Sequence, residues 1–546
     1  MKTQKIFFLF AVLLIFVINT QAQEIFDAIR NGDLTKVKEL VEKDPQLVSI
    51  RNARQSTPLH VAAAYDNDEI ASYLIDKGSD INLPNGNFYS PLMFAGIKVT
   101  KLLIEKGADI NYKSQFGWSA MAEALSRGRI EVAEYLIESG FNIPDPKTTE
   151  GTNLLIAALK VGCVDYFEKC LLFGLNPTFE SEAKSNLIHF AAESNSTELV
   201  AKLIEFGVLA DKTNIYGWNP LHIAAYNGNK SIVDLLIKKG IDKNIRTTTG
   251  KTAYNLSSES RMTSVVNYLD SIGADKSPQQ FPVIKGDYLG QDKPGKKAVP
   301  FAPGILAAQY NYHSSIAFTP DGNELYGKSM VPMSFLFSKK IDGKWTIPDT
   351  LTNMNYSDVP FISPNGKTFY YLSMQLVQGQ PPIELIYAMD KTNTGWSEPY
   401  PLPEIINSIP GIHWQSSVDK NGNLYFGARQ NGTVSSRIYC SEFKNGTYTE
   451  PKIIDNLKEV EAHSPFIAPD GSYLIISTLK ELQILFRKKD GSWTKEKSLT
   501  DIIGCEGHCP IVTHDGKYMF FVHNIGDKFI PYWVSAKFIE ELRPKE

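Results

Sequence analysis

Five side chains able to ligate a metal or to titrate recur at similar distances before a repeated Asp-Gly or Asn-Gly pair; they are His313, Asp358, His413, His463 and His508. A group of imidazoles with one carboxylate could bind an anion or a metal ion. The alternative is that each histidine hydrogen-bonds to a neighbouring element and is purely structural. Two of the five, His313 and His413, precede the pair by eight residues and the others by seven, so the five side chains need not form one layer.

The five cysteines offer a second possible chemistry. Cys505 and Cys509 flank His508 in "CEGHC". A structural zinc site usually needs four ligands at recognised spacings, so a metal site, a local disulfide and reduced thiols all stay open here. Cys163 and Cys170 lie seven residues apart in a helical pattern and could share a face. We expect neither a metal nor any other cofactor.

The repeated pair also indicates which elements must carry the five side chains. "AFTPDGNELYG" from Ala317 recurs as "FISPNGKTFYYLS", "SVDKNGNLYFGA", "FIAPDGSYLIIST" and "IVTHDGKYMFFVH". The Asp or Asn falls at 321, 365, 421, 470 and 515, which gives spacings of 44, 56, 49 and 45 residues. Asp-Gly and Asn-Gly between apolar strands predict tight hairpins that need a positive φ. Five copies favour a structural role for Asp321-Gly322 over a chemical one.

A second pair of strands lies between successive copies, and its turn holds a glycine followed by an aromatic residue: Trp345, Trp396, Tyr448 or Trp493. Four strands in a repeat of roughly 48 residues predict an all-β propeller over residues 298–546. These repeats resemble the TolB-type, WD-like (PD40-type) propellers of exported bacterial proteins. The resemblance implies that the innermost strands line a channel and that one of its mouths is surrounded by His313, Asp358, His413, His463 and His508.

We predict five blades. The fifth copy is followed by "FIPYWVSAKFIEEL", which supplies a third strand, and residues 296–306, "KKAVPFAPGIL", resemble an outermost strand. We expect that segment to close the last blade, because closure pairs an otherwise open sheet edge. Six blades are possible only if residues 278–300 form one, and that stretch is rich in Pro, Gly and Lys and is typical of a linker.

The N-terminal half repeats with a period near 33 residues. "STPLHVAAAYDNDEIASYLIDKGSDIN" begins at Ser56 and "NPLHIAAYNGNKSIVDLLIKKGIDKN" at Asn219. The position of Thr57 recurs at 90, 119, 153, 186, 219 and 252, and an earlier unit begins at Glu24, which makes about eight repeats. Each repeat opens with a helix-capping residue and contains a second, amphipathic helix. Such repeats bury their apolar faces only by stacking into a solenoid.

The repeats at residues 23–276 resemble ankyrin repeats, on "TPLHVAA", "NPLHIAA" and "KGADIN". The resemblance implies an all-α solenoid. The third repeat lacks about four residues, which should shorten its helices, and the fifth lacks the usual Pro and His.

The ankyrin resemblance also implies a concave binding face built from hairpin fingers and the first helices. The residue just before the capping position points into that face in the family pattern, and here it is Tyr89, Trp118 or Trp218, with Phe116 and Tyr216 nearby. Aromatic side chains are favoured anchors at protein interfaces. The alternative is that these rings pack on neighbouring fingers.

The first 22 residues have the pattern of a secretory signal peptide. Lys2 and Lys5 precede an apolar run over residues 6–18, which is short for a membrane span, and Thr20-Gln21-Ala22 places small residues before a cleavage site after Ala22. An uncleaved membrane anchor is the alternative. We therefore expect an exported protein, periplasmic or secreted, and the TolB-type resemblance implies a Gram-negative source. A linker over residues 277–297 is predicted between the two halves.

Composition and motifs together favour a binding protein. A charged fraction of 21%, a net charge of −4 and the lack of a basic stripe argue for a soluble protein that does not bind nucleic acid. Neither G-x-S-x-G nor H-E-x-x-H occurs. Glycosidases need paired carboxylates, and Asp358 is the only one predicted at the channel.

We therefore expect a non-enzymatic adaptor that binds a protein partner through the array. Its propeller would offer a second surface for protein, peptide or glycan, with no stable membrane insertion after signal cleavage. The alternative is a glycan-binding or glycan-active propeller that the array targets. Two or more carboxylates in the channel would favour that alternative.

Overall fold

The computed structural model describes residues 23–115, 117–305, 316–330, 333–351, 357–375, 383–393, 395–409, 413–429, 435–479, 481–525 and 528–545. The predicted signal peptide, Phe116 and His313 lie outside these ranges, and His413 is described by its backbone alone. Within these ranges, no helix is long and apolar enough to cross a membrane.

The chain divides into two compact units. The helical unit contains the chain up to Lys212 together with Asn219–Asn244 and Leu256–Asp275. The propeller unit contains Thr213–Trp218, Ile245–Asn255 and Lys276–Glu546. Two short segments inside the predicted helical half, 23–276, thus group with the propeller unit.

Eight helix pairs occupy the described part of the N-terminal half, as the repeat count predicts. They are 23–30 with Leu34–Lys43, Pro58–Ala64 with Asp68–Asp76, Pro91–Phe94 with Ile97–Glu105, Ala120–Ser126 with Ile130–Glu138, Thr149–Val161 with Val164–Leu171, Leu187–Ala191 with Thr197–Glu205, Pro220–Tyr226 with Lys230–Lys238, and Ala253–Glu259 with Thr263–Ser271. A 3-10 turn, Pro45–Ser49, follows the first pair.

The histidines of the repeat motif hold helix starts and join neighbouring repeats. The backbone N–H of Thr57 donates to Nδ1 of His60 at 3.2 Å, and Nε2 of His60 lies 3.0 Å from the carbonyl oxygen of Tyr89 in the next repeat. Since Nδ1 accepts, Nε2 carries the proton and donates to that carbonyl. The equivalent N–H to Nδ1 bonds join Asn186 to His189 and Asn219 to His222. These histidines therefore have a structural role.

Acid should destabilise the helical unit through His60. Burial lowers the pKa of His60 to about 4 from an ordinary 6.5. Between pH 4 and pH 6.5 the imidazole is therefore protonated in the unfolded chain but not in the folded chain. Stability is therefore complete above about pH 6.5 and falls as the pH drops towards 4, by about 2 kcal/mol at pH 5. Urea unfolding at several pH values, followed by helical circular dichroism, measures this slope. The variant His60→Asn, which cannot titrate, should show a flatter slope, and parallel curves for the two proteins would contradict the assignment.

The short third repeat differs from expectation in one respect. Its first helix, Pro91–Phe94, has four residues where Pro58–Ala64 has seven, but its second helix, Ile97–Glu105, keeps nine. The backbone N–H of Val99 donates to the Asp66 carboxylate at 2.9 Å, so a side chain of the preceding repeat caps the second helix. The missing residues therefore shorten the first helix alone.

The propeller unit contains five antiparallel blades, which confirms the predicted number. Blade 1 has Ala317–Phe318, Glu324–Met330, Met333–Ile341, Lys344–Trp345 and Asp349–Thr350; blade 2 has Ser357–Ile362, Thr368–Gln375, Ile383–Thr392, Gly395–Trp396 and Tyr400–Pro401; blade 3 has His413–Val418, Leu424–Arg429, Ser436–Ser441 and Lys452–Ile453; blade 4 has His463–Ile467, Tyr473–Ser477, Leu482–Phe486 and Lys497–Ser498; blade 5 has His508–Val512, Tyr518–Ile525, Lys528–Ser535 and Val299–Pro300.

Shorter elements complete the described part of the propeller unit. Phe443–Lys444 and Thr447–Tyr448 form a small hairpin. Short helices cover Glu404–Asn407, Thr500–Ile503 and Phe538–Leu542, and 3-10 turns cover Tyr288–Gly290 and Asp455–Leu457.

The ring closes as predicted, by a strand that precedes blade 1 in sequence. Val299 pairs with Trp533 and Pro300 with Tyr532, so the strand Val299–Pro300 becomes the outermost strand of blade 5. Next to it, Phe301 is fully buried and its ring packs on Phe520 and Trp533 at centroid distances of 4.8 and 5.1 Å. Closure therefore combines two ladder pairs with an aromatic core.

Part of the predicted linker, 277–297, packs on the propeller. The ring of Tyr288 lies 5.1 Å from that of Tyr518 and 5.2 Å from that of Phe318, and Leu289 is buried. The carbonyl oxygen of Gly286 accepts a hydrogen bond from Nε1 of Trp345 at 2.8 Å. This stretch is an ordered part of the propeller unit.

The repeated Asp-Gly and Asn-Gly pairs form turns, which confirms their structural role. The N–H of Gly322 donates to the carbonyl oxygen of Thr319 at 2.8 Å, and the Asp321 carboxylate accepts from the hydroxyl of Thr319 and the N–H of Asn323 at 2.6 and 3.0 Å. The five turn glycines have φ values of 68–84°, and none of the preceding Asp or Asn residues has a positive φ. Each connection is thus a four-residue β-turn whose last residue is a left-handed glycine, rather than a type I′ two-residue hairpin, which needs a positive φ at both central residues.

Candidate functional site

A backbone bulge follows three of the side chains predicted at the channel mouth. The pairing of the first two strands shifts register between Asp358 and Phe361 in blade 2, and equivalent shifts follow His463 and His508 in blades 4 and 5. The residues directly after them, Val359, Ser464 and Cys509, have φ values of 48°, 49° and 52°. Positive φ is costly for such residues, above all for a β-branched valine, and strained backbone clusters at functional sites.

The sequence patterns were not used to predict these bulges, although a proline near each of the three indicates them. Pro360, Pro465 and Pro510 each stand two residues after the mouth residue, in "DVP", "HSP" and "HCP". Proline has no N–H to donate, so within sheets it is confined to edges and bulges. Blade 3 shifts register as well, between His413 and Ser416, but with Gln415 where the other blades have Ser464 or Cys509.

Asp358 is held by a buried lysine of the neighbouring blade. Nζ of Lys328 in blade 1 lies 2.5 Å from Oδ2 of Asp358 in blade 2. The lysine is 7% exposed as a residue, and the side chain of Asp358 is 32% exposed. Burial raises the pKa of Glu384, the Asp358 charge raises it further and Lys328 opposes the rise. The Lys328–Asp358 pair therefore influences a second carboxyl group, Glu384, which lies on the third strand of blade 2 and was not predicted from the sequence.

The two histidine side chains described among the five predicted mouth residues contact each other. The rings of His463 and His508 are stacked, with centroids 5.8 Å apart, and Nδ1 of His463 lies 3.2 Å from the hydroxyl of Ser464. Burial lowers the pKa of His463 to about 4, with the neighbouring His508 contributing, and burial also lowers the pKa of His508. Both pKa shifts disfavour the charged imidazolium form, which argues against an anion site at these two rings.

Side chains crossing between non-adjacent blades close the channel below the mouth. Nε2 of Gln415 in blade 3 donates to the carbonyl oxygen of Pro510 in blade 5 at 2.7 Å. Nearer the turns, the ring of Phe361 in blade 2 lies 6.4 Å from that of Phe466 in blade 4. The apolar layer encloses a cavity of about 20 Å³, lined by one residue or more from every blade, including Ala317, Phe361, Val418, Phe466 and Ile511. Among the described residues, this layer offers apolar contacts and little room for a ligand.

The cysteines do not assemble a metal site within the described residues. Burial raises the pKa of Cys163 to about 11 and that of Cys170 to about 12, and both thiols are fully buried in the fifth repeat. Cys170 lies in the helix Val164–Leu171, whereas Cys163 is the N-cap residue at its start. Burial likewise raises the pKa of Cys509 to about 12, and its sulfur lies 3.5 Å from the hydroxyl of Ser464. No group of three or more His, Cys, Asp or Glu side chains in the described ranges is arranged to hold a metal ion.

In the helical unit, one repeated hydrogen bond shapes the fingers. In three successive fingers a backbone N–H donates to the carbonyl oxygen four residues later, from Asn52 to Ser56, from Asn85 to Tyr89 and from Ser114 to Trp118, at 2.8–3.0 Å. Neighbouring fingers are joined as well, since Nη1 of Arg51 donates to the carbonyl oxygen of Pro84 at 3.1 Å. The fingers therefore form a continuous row.

Two of the predicted anchors are accessible on this row. Trp118 is 37% exposed, and its Nε1 donates to Oε2 of Glu123 at 2.8 Å. Glu123 also pairs with Arg127, so the buried carboxylate fixes the indole of Trp118 and the guanidinium of Arg127 side by side. Tyr89 is half-buried against Phe94, with ring centroids 5.8 Å apart.

The other two described anchors are enclosed. Tyr216 is 1% exposed and Trp218 is 7% exposed, and both belong to the segment Thr213–Trp218 of the propeller unit. A ring with almost no exposed surface cannot make extensive contacts with a binding partner. We therefore leave Tyr216 and Trp218 out of the candidate surface.

Sequence reasoning did not single out three side chains of the same surface. Tyr65 is 56% exposed at the end of the helix Pro58–Ala64, and Arg127 occupies the equivalent place after Ala120–Ser126. Arg54 is exposed in the finger before Tyr65. The signal available was the repeat itself, because residues at equivalent positions of stacked repeats share a face. We call Arg54, Tyr65, Tyr89, Trp118 and Arg127 the aromatic–basic face.

Comparison with known proteins identifies the helical repeats. Residues 25–114, 92–180 and 188–280 match the family model of ankyrin repeats, in three copies. The chain is 40% identical over 74 residues to Alpha-latrocrustotoxin-Lt1a of Latrodectus tredecimguttatus, which covers 14% of this chain and 5% of that protein. It is 25% identical over 120 residues to Ankyrin repeat and SAM domain-containing protein 6 of Rattus norvegicus, covering 22% and 10% of the two chains.

A further relative is matched over most of its length. The chain is 25% identical over 197 residues to the probable 26S proteasome regulatory subunit p28 of Saccharomyces cerevisiae, which covers 34% of this chain and 85% of that protein. By contrast, the match covers a tenth or less of the length of Alpha-latrocrustotoxin-Lt1a and of Ankyrin repeat and SAM domain-containing protein 6. The N-terminal half thus consists of ankyrin repeats, and it is followed by a five-bladed propeller.

Proposed function

We propose that this chain is an exported, non-enzymatic adaptor whose ankyrin array binds a protein partner and whose propeller offers a second interaction surface. The observation that carries the proposal is the aromatic–basic face, because its accessible rings stand on a row of fingers fixed by backbone hydrogen bonds. Rigid aromatic anchors bind partners at low cost in conformational entropy. The leader pattern and the resemblance to TolB-type propellers support export from a Gram-negative cell, and the lack of a catalytic motif supports a binding role.

The adaptor proposal is tested by affinity capture from envelope extract of the source organism. The mature chain should recover a protein that the double variant Tyr89→Ala/Trp118→Ala loses, with an expected loss of about 2–4 kcal/mol in binding free energy when the captured protein is purified and titrated. Leu172→Ala is the matched control, since Leu172 is 79% exposed and lies outside the aromatic–basic face. Equal recovery by the double variant and by the control would reject this face as the binding surface.

A glycan-binding or glycan-active propeller is the second candidate, and one observation favours it. Blade 2 carries both Asp358 and Glu384, and burial together with the charge of Asp358 raises the pKa of Glu384. Two carboxyl groups in different environments are what glycoside chemistry uses. The ion pair of Asp358 with Lys328 weighs against this candidate, because it already engages one carboxylate. Glycan-array binding or glycan hydrolysis that Glu384→Gln abolishes would favour the second candidate over the adaptor.

A further inference from the structure

The ankyrin repeats that carry the aromatic–basic face are strongly asymmetric in charge. The fingers and first helices of the second to fourth repeats, residues 51–66, 84–96 and 113–129, contain five Lys or Arg against two Asp or Glu, a net charge of +3. The second helices and the loops after them, residues 67–83, 97–112 and 130–144, contain four Lys or Arg against nine Asp or Glu, a net charge of −5. The binding side is therefore positive on a chain whose total charge is −4.

Contacts within the face show which of these charges a partner would meet. The two carboxylates are already engaged, since Asp66 accepts from the N–H of Val99 and the buried Glu123 pairs with Arg127. Arg127 nevertheless keeps half of its side chain exposed. Arg54 is exposed and has no carboxylate partner among the described residues. Arg54 is therefore available to an anionic group, and Arg127 keeps terminal nitrogens beyond the Nε that contacts Glu123.

The cations and the exposed rings are joined into one surface. The N–H of Gly86 donates to the carbonyl oxygen of Arg54 at 3.3 Å, which ties the second finger to the third, and the hydroxyl of Tyr112 donates to the carbonyl oxygen of Phe88 at 3.0 Å. Glu123 links Trp118 to Arg127 in the fourth repeat. A partner laid along the fingers thus meets Arg54 and Tyr65, then Tyr89, and then Trp118 with Arg127.

We propose that the aromatic–basic face binds an acidic protein segment, with carboxylates at Arg54 and Arg127 and apolar or aromatic side chains on Tyr65, Tyr89 and Trp118. This rests on the proposed adaptor function and specifies the chemistry of its partner. Arginine suits carboxylates because its guanidinium group presents paired donors, and complementary charge raises both the association rate and the selectivity against cationic partners. The negative surface of the second helices disfavours the same segment elsewhere on these repeats.

The experiment titrates the full mature chain against a short fluorescent peptide of Glu and Asp interspersed with Tyr and Leu, followed by fluorescence anisotropy. Its counterpart replaces each acidic residue with Lys. The acidic peptide should bind and the basic one should not, and the affinity should fall as the salt concentration rises from about 0.05 M to about 0.5 M, because exposed charges are screened over that range. Arg54→Glu should weaken the acidic peptide about fivefold or more, a loss of about 1 kcal/mol. The matched control Lys239→Glu, an exposed reversal in the seventh repeat, should leave the affinity unchanged.

Three outcomes would overturn the acidic-segment proposal: equal affinity for the two peptides, equal effects of Arg54→Glu and Lys239→Glu, or tighter binding of a single-stranded oligonucleotide than of the acidic peptide. The adaptor proposal is tested separately. If the captured partner still depends on Tyr89 and Trp118 but binds independently of salt and of Arg54, the adaptor function stands and the acidic chemistry fails. Circular dichroism of each variant excludes loss of folding, and Arg54→Glu is not expected to unfold the array since its side chain is exposed.

Discussion

Replacing Phe301 with alanine should destabilise the propeller unit by about 3–5 kcal/mol, the usual cost of truncating a fully buried phenylalanine. The ring is 0% exposed and contacts Phe520 and Trp533 of blade 5 and Phe318 of blade 1. Since Phe301 follows the strand that closes the ring, its loss removes packing between the first and last blades. Urea unfolding followed by tryptophan fluorescence measures the effect, and helical circular dichroism reports the array in parallel.

The control for Phe301 is its neighbour in the same closing segment. Val299 pairs with Trp533 through the backbone, but its side chain is 40% exposed. Val299→Ala should therefore cost less than about 1 kcal/mol while leaving the ladder intact. Similar losses for Phe301→Ala and Val299→Ala would show that the aromatic packing does not stabilise closure.

Removing one partner of the Lys328–Asp358 ion pair should also destabilise the propeller unit, by less than the loss of Phe301. Asp358→Asn leaves the ammonium group of Lys328 buried without its carboxylate at 2.5 Å, and breaking a fully buried pair costs about 3–5 kcal/mol. Because the side chain of Asp358 is 32% exposed, solvent screens part of this interaction, and we expect about 2–3 kcal/mol. The same unfolding experiment measures it.

A double variant separates the contribution of the two charges from that of the volume of the two side chains. Lys328→Met/Asp358→Leu removes both charges and keeps similar volumes, so its stability should be close to that of the wild-type protein and above that of Asp358→Asn. If the double variant loses as much unfolding free energy as Lys328→Met and Asp358→Leu lose together, the two side chains do not act as a pair. A stable double variant would also be the right reagent for asking whether the charges at the mouth bind a ligand.

Local patterns predicted most of the fold. The period near 33 residues specified the helix pairs because each repeat carries its own capping residue, and the five Asp-Gly or Asn-Gly turns specified the blades because only glycine adopts their φ values without strain. The closing strand was predictable from its likeness to the outermost strands of other blades. The short third repeat was predicted less well, because the cap that preserves its second helix comes from Asp66 in the preceding repeat.

The sequence by itself determined the repeats, the turns, the blade number and the positions of the candidate side chains along the chain. Only the tertiary structure decided which of those side chains are accessible or paired. Trp118 and Trp218 occupy the same place in their repeats, yet one is exposed and the other buried. Asp358 forms an ion pair with Lys328 that no sequence motif predicted. The physical reason is that capping and turn formation depend on residues a few positions apart, whereas exposure and charge pairing depend on contacts between distant residues, such as Gln415 with Pro510, 95 positions away.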